Sequence, residues 1–416
     1  MERTDPRGAA GTAEAVARQA YGKLVAWLAA RTRDVAGAED ALSEAFVAAL
    51  RHWPEAGIPA SPDAWLMTAA RRRLIDGHRR RSVEAKAIED LLVLAGDEAA
   101  EDAAAVPDDR LSLMFVCAHP AIEPRMRAPL ILQTLLGFDA GTIASAFLVA
   151  PATMGQRLVR AKRRIAELGL AFAVPERDEW PERLDAVLEA IYAAYGEGWA
   201  DPSGQEARLR NLAEEAIWLG RLLVALLPDE PEAAGLLALM LHSHARRFAR
   251  RDADGRYVPL AAQEMARWDE GLIGEAEALL ARAARAGRFG RYQLEAAIQS
   301  AHVVRRRLGR PDWQAIGVLY DALFDLTGSP VVALNRAVAL AEREGAAAGL
   351  SALDAAARDP RLESYQPYWA ARAAMLEALG DPTGAAKAYG LAIGLETDPA
   401  VRDFLQARCA ALPLSR

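Results

Sequence analysis

Two clusters of arginine are the residues whose type and spacing could do chemistry. Residues 71–81 contain six arginines against the single acid Asp76, and residues 157–164 contain five basic residues and no acid. Because a guanidinium group binds phosphate oxygens through two parallel hydrogen bonds, such clusters predict contact with a polyanion such as nucleic acid. Solvated faces of ordinary helices would produce the same charge pattern, and charge alone leaves both interpretations open.

Residue sets for enzymatic or metal chemistry are missing from the sequence. The six histidines are scattered, and the only near neighbours, His242 and His244, would point to different faces of a helix. Cys117 and Cys409 stand far apart, which excludes a disulfide framework and a cysteine-based zinc site. Neither a Gly-rich phosphate loop nor a nucleophile elbow occurs. We therefore expect no catalytic residue, no metal and no cofactor.

Helical periodicity marks the elements that must position the two clusters. Strand signals are scarce, Ala and Leu dominate, and apolar residues recur at helical spacing, so we predict an all-α fold. The first cluster falls on a predicted helix that Asp63 would cap and that runs through Arg80. A preceding helix would end at Pro54, followed by a non-helical loop over residues 54–62 that is rich in Pro and Gly.

The second cluster falls on the longer of two helices joined by a tight connector at residues 148–150. Pro151 suits the first position of this longer helix. The helix has an apolar side, formed by Met154, Leu158, Ile165 and Leu168, and a polar side, formed by Thr153, Gln156, Arg157, Arg160, Arg163 and Arg164. This pattern predicts a helix-turn-helix that offers arginines to phosphates and short polar side chains to base edges. A surface helical hairpin is the alternative.

Composition and charge divide the rest of the chain. The 416 residues carry a formal net charge of −7, all of it within residues 171–416, because residues 1–170 balance 22 bases with 22 acids. An acidic stretch at residues 84–109 separates the two arginine clusters. Neither a signal peptide nor a membrane span is recognisable, so we expect a soluble, cytoplasmic protein.

The last hundred residues are repetitive. Gly309, Gly345 and Gly380 each separate two apolar helical segments, at spacings of 36 and 35 residues. This pattern resembles the tetratricopeptide repeat (TPR), whose period is about 34 residues. A helical bundle with glycine at its helix ends is the alternative.

Longer motifs are similar to those of a known family. The stretch AEDALSEAFVAALRHWP, followed by DAWLMTAARRRLIDGHRRR, resembles region 2 of bacterial sigma factors of the extracytoplasmic-function (ECF) group. The stretch FDAGTIASAFLVAPATMGQRLVRAKRRIAELG resembles their region 4, and the chain beyond about Pro181 resembles the TPR-like extension of one subgroup. The resemblance implies four segments: residues 1–81 (region 2), 82–107 (acidic linker), 108–170 (region 4) and 171–416 (helical TPR-like extension).

The resemblance also implies roles for individual residues. Asp40, Glu44 and Phe46 match a helix that docks on the β′ clamp helices of core RNA polymerase. The loop at residues 54–62 matches a segment that captures a flipped base of the −10 promoter element. The resemblance places Arg71, Asp76, Arg79 and Arg80 on the helix that lies against −10 DNA, and the arginine cluster adds Arg72 and Arg73 as candidates for the same contact. The resemblance places Thr153, Arg157, Leu158, Arg160 and Ala161 on the helix that enters the major groove of the −35 element, where Leu158 and Ala161 would pack rather than read DNA. The polar side of the same helix adds Gln156, Arg163 and Arg164 as candidates.

We therefore predict an RNA polymerase sigma factor that directs promoter-specific initiation and is not itself an enzyme. Its partners would be core polymerase and promoter DNA, with no membrane, and its C-terminal extension would regulate it or bind a protein partner. The alternatives are a helix-turn-helix regulator whose repeat domain senses a ligand or a protein, and a repeat-based adaptor with incidental basic patches. The helix with Asp40, Glu44 and Phe46 favours the sigma factor, because only a sigma factor needs a polymerase-docking face.

Overall fold

The computed structural model of the chain describes residues 6–79, 108–147, 149–176, 179–199, 207–305 and 309–413. Within these ranges it contains 18 α-helices, and its only strand-like feature is an isolated bridge between Arg251 and Tyr257. The predicted all-α fold is confirmed. The predicted acidic linker at residues 82–107, together with Arg80 and Leu148, lies outside the described residues. None of the described helices is long and apolar enough to cross a membrane.

The chain divides into two compact units. The first comprises residues 1–201 and 206–216, and the second comprises residues 202–205 and 217–416. The helices of the first unit are α1 (Pro6–Thr32), α2 (Val35–Ala56), α3 (Pro62–Arg79), α4 (Arg110–Cys117), α5 (Pro124–Leu136), α6 (Ala140–Ala146), α7 (Pro151–Leu168) and α8 (Trp180–Trp199). Helix α9 (Ala207–Leu226) begins in the first unit and continues into the second.

Helix α1 is the centre of the first unit. The side chains of residues 24–29 are at most 3% exposed, so this part of the helix is buried all round. Such a helix has to be surrounded by others, and α1 contacts α2, α3, α4 and α5. Gly22 lets α1 approach α5 closely, since a Cβ there would lie 2.4 Å from the carbonyl oxygen of Leu135. The predicted region 2 and region 4 segments therefore share one core.

The end of helix α2 differs from the prediction. The helix does not end at Pro54 but runs to Ala56, and Gly57 follows it with a φ of 90°. Proline removes only its own N–H from the helix, and the carbonyl that this N–H would have met belongs to Leu50. Leu50 lies on the exposed side of α2, where water can satisfy that carbonyl. One proline is therefore tolerated near the end of this helix.

The start of helix α3 also differs from the prediction. The helix begins at Pro62, so Asp63 lies inside the first turn rather than at the N-cap. Proline suits this position, because the first N–H groups of a helix have no partner within the helix and φ is already fixed near the helical value. The carboxylate of Asp63 still lies close to the positive end of the helix dipole. The non-helical loop is shortened to residues 57–61.

A buried ion pair joins α2 to α7. Nζ of Lys162 donates to Oε2 of Glu39 at 2.6 Å, and the two side chains are only 12% and 9% exposed. Burial raises the pKa of Glu39, and the adjacent ammonium group of Lys162 offsets part of that rise. A second pair, from Arg31 to Asp109 at 3.1 Å, links the end of α1 to the residue before α4. These pairs hold helices of the predicted region 2 against helices of the predicted region 4.

Helix α8 also belongs to the first unit. It packs against α4 and α5, and Nη2 of Arg183 donates to the carbonyl oxygen of Phe115 at 3.1 Å. The compact unit therefore continues beyond residue 170, the predicted end of region 4. The functional boundary between residues 170 and 171 stays a prediction, because packing does not show where DNA binding ends.

The second unit contains the remaining helices. They are α10 (Pro231–Ala245), α11 (Glu270–Ala284), α12 (Arg291–Val303), α13 (Trp313–Thr327), α14 (Pro330–Glu344), α15 (Ala346–Ala356), α16 (Gln366–Ala378), α17 (Pro382–Leu395) and α18 (Pro399–Ala410). Nearly every residue of α10 is buried, and this helix contacts α11 and α12. The carboxylate of Glu232 on α10 accepts the backbone N–H groups of Tyr292 and Gln293 at 2.9 and 3.0 Å, which satisfies the start of α12.

Consecutive packing continues from α12 to α18. Each helix contacts the next, and separate clusters of buried side chains lie along the series. The last helix also contacts the long segment between α10 and α11, residues 246–269. Arg251 pairs with Asp398 at 2.5 Å, and the ring of Tyr257 meets that of Phe404 edge-on at 5.5 Å. Helix α18 therefore contacts both α17, the helix before it, and the segment between α10 and α11 near the start of the second unit.

The buried Glu39–Lys162 pair leads to a testable prediction about stability. We expect Glu39→Ala to reduce the free energy of unfolding of the first unit by about 3–5 kcal/mol, because it leaves a buried ammonium group without its partner. The double variant Glu39→Leu with Lys162→Met should be closer to the wild type than either single change. Urea unfolding followed by circular dichroism measures this. The control is Arg163→Ala, which removes an exposed pair with Glu167 and should cost less than about 1 kcal/mol. Additive single effects would contradict the prediction.

The histidines of the second unit yield another prediction, since His242 and His244 are buried and His302 is half-buried. Burial lowers the pKa of His242, His244 and His302 to about 4 each, with Arg246 and Arg247 adding to the effect. The unfolded chain titrates near 6.5, so it binds about three more protons than the folded unit between these values. Stability should be complete above pH 6.5 and fall as the pH drops toward 4. Calorimetry of the full chain from pH 7.5 to 4.5 measures the fall, and His302→Gln should make it shallower by about one proton. A pH-independent transition would contradict the assignment.

Candidate nucleic-acid interface

Helix α7 is held with one face in the core. Pro151 occupies its first position, and Gly169, in the left-handed conformation with a φ of 59°, follows its last. The buried face is formed by Met154, Leu158, Ala161 and Ile165, at helical spacing. Leu168, predicted for the same face, is instead 36% exposed, because it is the last residue of the helix. The core contact therefore orients the whole helix.

The opposite face of α7 carries the side chains predicted to contact the −35 element. Gln156, Arg160, Arg163 and Arg164 are exposed, and Thr153 and Arg157 are half-buried. Arg163 pairs with Glu167 at 2.7 Å, one turn along the helix. Within the described part of the chain, no carboxylate forms an ion pair with Arg157, Arg160 or Arg164. The face thus offers three guanidinium groups whose charge no ion pair neutralises.

A cleft of about 350 Å³ lies beside this face of α7. Arg157, Arg160 and Arg164 line it from α7, and the turn at residues 121–126 lines it from the other side. That turn contributes Arg125 and Glu123, which form an ion pair with each other. The sequence reasoning missed both residues, because they stand about 30 positions before the arginine cluster and outside any run of charge. Only the fold brings them to the cleft.

The arginines of the first cluster have different surroundings on α3. Arg72 and Arg73 are exposed, whereas Arg71 is half-buried. Arg73 lies 3.4 Å from the carboxylate of Glu44 on α2, so the two predicted surfaces meet at this exposed pair. Asp76 and Arg79 lie in the last turn of α3, and Arg80 lies outside the described residues.

Helix α2 presents an exposed stripe next to α3. Asp40 and Glu44 are exposed and lie one turn apart, as predicted for a docking face. Phe46 is half-buried and lies near the side that faces the core. The apolar members of the exposed surface are instead Val47 and Leu50, each 48% exposed. Sequence reasoning missed them, because an apolar side chain on an amphipathic helix is by default assigned to the core.

The remaining reactive groups lie away from these surfaces or are inert. No group of three or more potential ligands that could hold a metal ion is present among the described residues. Cys117 is fully buried beside the hydroxyl of Thr134, and burial raises the pKa of its thiol to about 12. Such a thiol stays protonated at neutral pH and is a poor nucleophile.

Comparison with known proteins finds a described family for the part of the chain that contains helices α1–α3. The model of the family described as "Sigma-70 region 2" matches residues 16–83. A protein of Xanthomonas campestris pv. campestris, described as "Probable RNA polymerase sigma factor RfaY", is 31% identical over 174 residues, which are 38% of this chain and 42% of that protein. These two matches support an ECF-like RNA polymerase sigma factor with a sigma-70 region 2 domain at residues 16–83. A sigma factor is not an enzyme; it binds core RNA polymerase and promoter DNA.

Two further matches extend beyond region 2 and have no assigned role. A Rhizobium meliloti (strain 1021) protein described as "Uncharacterized protein R00370" is 40% identical over 394 residues, which are 93% of this sigma factor and 92% of that protein. The model described as "Family of unknown function (DUF6596)" matches residues 183–284, from α8 to α11. No solved structure matches the sigma factor. Its C-terminal unit is therefore shared with a relative of similar length.

Proposed function

We propose that this sigma factor reads the −35 promoter element with α7, contacts the −10 element with α3 and its preceding loop, and docks on the β′ clamp helices of polymerase with α2. The observation that carries the proposal is the exposed face of α7, where Arg157, Arg160 and Arg164 have no ion pair among the described residues. Such a face is unfavourable by itself and is stabilised by the phosphates of a duplex.

The contact with the −35 element uses α6 and α7 as a helix-turn-helix. The two helices pack against each other, and α7 turns its polar face away from that packing. In this motif the second helix enters the major groove, where arginines bind phosphates or guanine and short polar side chains meet base edges. Thr153 and Gln156 near the start of α7 are the base-reading candidates, and Arg160, Arg163 and Arg164 are the phosphate candidates. We place this region 4 module within residues 108–170.

The contact with the −10 element uses the arginine cluster of α3 and the loop at residues 57–61. Arg72 and Arg73 are exposed in the second half of α3, which is anchored by the packing of Trp65 against Trp53, whose ring centres are 5.6 Å apart. A rigid helix with cationic side chains suits a DNA backbone, and the adjacent loop offers a place for an unstacked base. We place this region 2 module within residues 1–81, with the linker at residues 82–107.

The contact with polymerase uses the exposed stripe of α2. Asp40 and Glu44 supply charge, and Val47 and Leu50 supply apolar area that lacks a partner in the described part of the chain. Interfaces combine an apolar centre with a polar rim, which this stripe offers on one helix face. Phe46, which is half-buried, adds the exposed part of its ring to the proposed contact.

Binding to both promoter elements at once requires a change in the first unit. The elements are named for positions about 25 base pairs apart, which at about 3.4 Å per base pair is roughly 85 Å. Helices α2 and α7 contact each other through Glu39 and Lys162. We therefore expect this contact to open when the sigma factor binds polymerase and a promoter in the cytoplasm.

For the C-terminal unit we propose a TPR-like domain, at residues 171–416, that regulates the sigma factor through a protein partner. Its helices pack consecutively, and Gly345 and Gly380 adopt positive φ values at two of its turns. A cleft of about 530 Å³, lined by α13, α14 and α15, contains Arg343 and the pair of Arg336 with Asp321. Stacked helices with such a cleft suit a peptide segment of a partner.

The docking stripe yields a prediction on polymerase binding. Val47→Asp should weaken binding of the full chain to core polymerase at least tenfold, because it buries a new charge at the centre of the interface. Fluorescence anisotropy with labelled protein and purified core enzyme measures the affinity. The matched control is Leu391→Asp, which changes an apolar side chain of equal exposure (47%) on α17. Equal effects of the two variants would remove α2 from the docking surface.

The face of α7 yields a prediction on promoter binding. Arg157→Ala and Arg160→Ala should each lower the salt dependence of log Kd by about 0.9 if the arginine contacts a phosphate. A contact to a base edge should instead cost about 1–3 kcal/mol at one base pair. The measurement uses reconstituted holoenzyme and a promoter duplex that this holoenzyme selects from a random library, with run-off transcription as a second readout. Arg361→Ala, an exposed arginine of the second unit, is the control. Unchanged binding by both α7 variants would contradict the proposal.

A further inference from the structure

We infer that Arg125, at the start of α5, is an additional contact with the DNA backbone and that Glu123 weakens this contact. The inference rests on the proposed contact between α7 and the −35 element. It adds a residue outside the helix-turn-helix to the phosphate-binding surface, and it assigns the neighbouring carboxylate an opposing role.

The turn that carries Arg125 is held rigidly. Ile122 and Met126, on either side of it, are 2% and 3% exposed and anchor the turn in the core. Nε of Arg127 donates to the carbonyl oxygen of Ile122 at 3.1 Å, and Nδ1 of His119 accepts the N–H of Ala121 at 3.1 Å. Arg125 itself is 65% exposed. A charged side chain on a fixed backbone can bind a phosphate with little ordering cost beyond its own.

The charges that surround the cleft are unbalanced. Arg125 stands on one wall and Arg157, Arg160 and Arg164 stand on the other, whereas Glu123 is the single acid among the described residues that line the cleft. Four guanidinium groups against one carboxylate repel one another unless an anion enters. The three arginines of α7 belong to the face proposed to meet DNA, so the anion nearest to the cleft would be a phosphate of the same duplex. Cations on both walls suit the DNA backbone, whose charges lie in a row.

Glu123 competes with DNA for Arg125. Its carboxylate pairs with the Arg125 guanidinium in the free protein, and it has no role in capping α5, since its side chain accepts no hydrogen bond from the start of that helix. A phosphate that binds Arg125 has to displace this carboxylate and then lies close to a like charge. Removal of the Glu123 charge should therefore strengthen DNA binding, whereas removal of the Arg125 charge should weaken it.

The experiment measures binding of reconstituted holoenzyme to the selected promoter duplex at several salt concentrations. Arg125→Ala should raise Kd about fivefold at 0.15 M salt and lower the salt slope by about 0.9, which is the effect of one lost phosphate contact. The increase should be equal for duplexes with and without substitutions in the −35 element, because a phosphate carries no base identity. Arg125→Lys should retain most of the slope. Glu123→Gln should lower Kd.

The matched control is Arg288→Ala in the second unit, a comparably exposed arginine near Glu230, which should leave Kd unchanged. Thermal unfolding of each variant shows whether the turn stays folded. If Arg125→Ala and Glu123→Gln leave Kd unchanged while Arg157→Ala weakens binding, the inference is wrong and the proposed function stands. If none of the variants, including Arg157→Ala and Arg160→Ala, changes binding, the proposed role of α7 fails as well. A loss confined to one base pair in Arg125→Ala also overturns the inference.

Discussion

The buried ion pair between Glu39 and Lys162 joins α2 to α7 in the first unit and, with the buried apolar residues of both helices, fixes which side of each helix faces the core. Successive residues of a helix point about 100° apart, so a side chain that is buried dictates where its neighbours point. With Glu39 inward, Asp40 and Glu44 lie on the exposed side of α2. With Lys162 inward, Arg160, Arg163 and Arg164 lie on the exposed side of α7. This packing thus places the proposed polymerase-docking and DNA-reading faces on the surface.

The distribution of carboxylates decides which basic residues can bind an anion. Lys162 belongs to the second basic cluster in the sequence, but its charge is used within the core. Arg163 and Arg73 have exposed partners, and such pairs are weak enough for a phosphate to replace. Arg157, Arg160 and Arg164 have no ion pair among the described residues. A cluster that is uniform in sequence is therefore divided into a member paired within the core and members exposed to solvent, which are the proposed DNA contacts.

The second unit shows how a mostly apolar, helical interior accommodates polar side chains. Its histidines are kept neutral by burial, which avoids the cost of a desolvated charge. The carboxylate of Glu232 accepts the N–H groups of Tyr292 and Gln293 at the start of α12, which have no partner within that helix. The contacts of Arg251 and Tyr257 with α18 then join the last helix to an early turn of the unit. A loss of this helix would therefore affect more than its immediate neighbour.

The sequence alone determined the helical class, the end of α2 and the starts of α3 and α7 to within two residues, and the polar face of α7. These features depend on apolar periodicity and on helix-terminal residues such as Pro151, which act locally. Region 2 was also recognisable, because its motif is contiguous. The tertiary structure decided which side chains of the helical patterns are buried. Lys162 faces the core, Phe46 is half-buried, and Val47 and Leu50 are exposed. It also decided that Arg125 and Glu123 share a cleft with α7, since contacts between residues far apart in the chain depend on packing and leave no mark in local spacing.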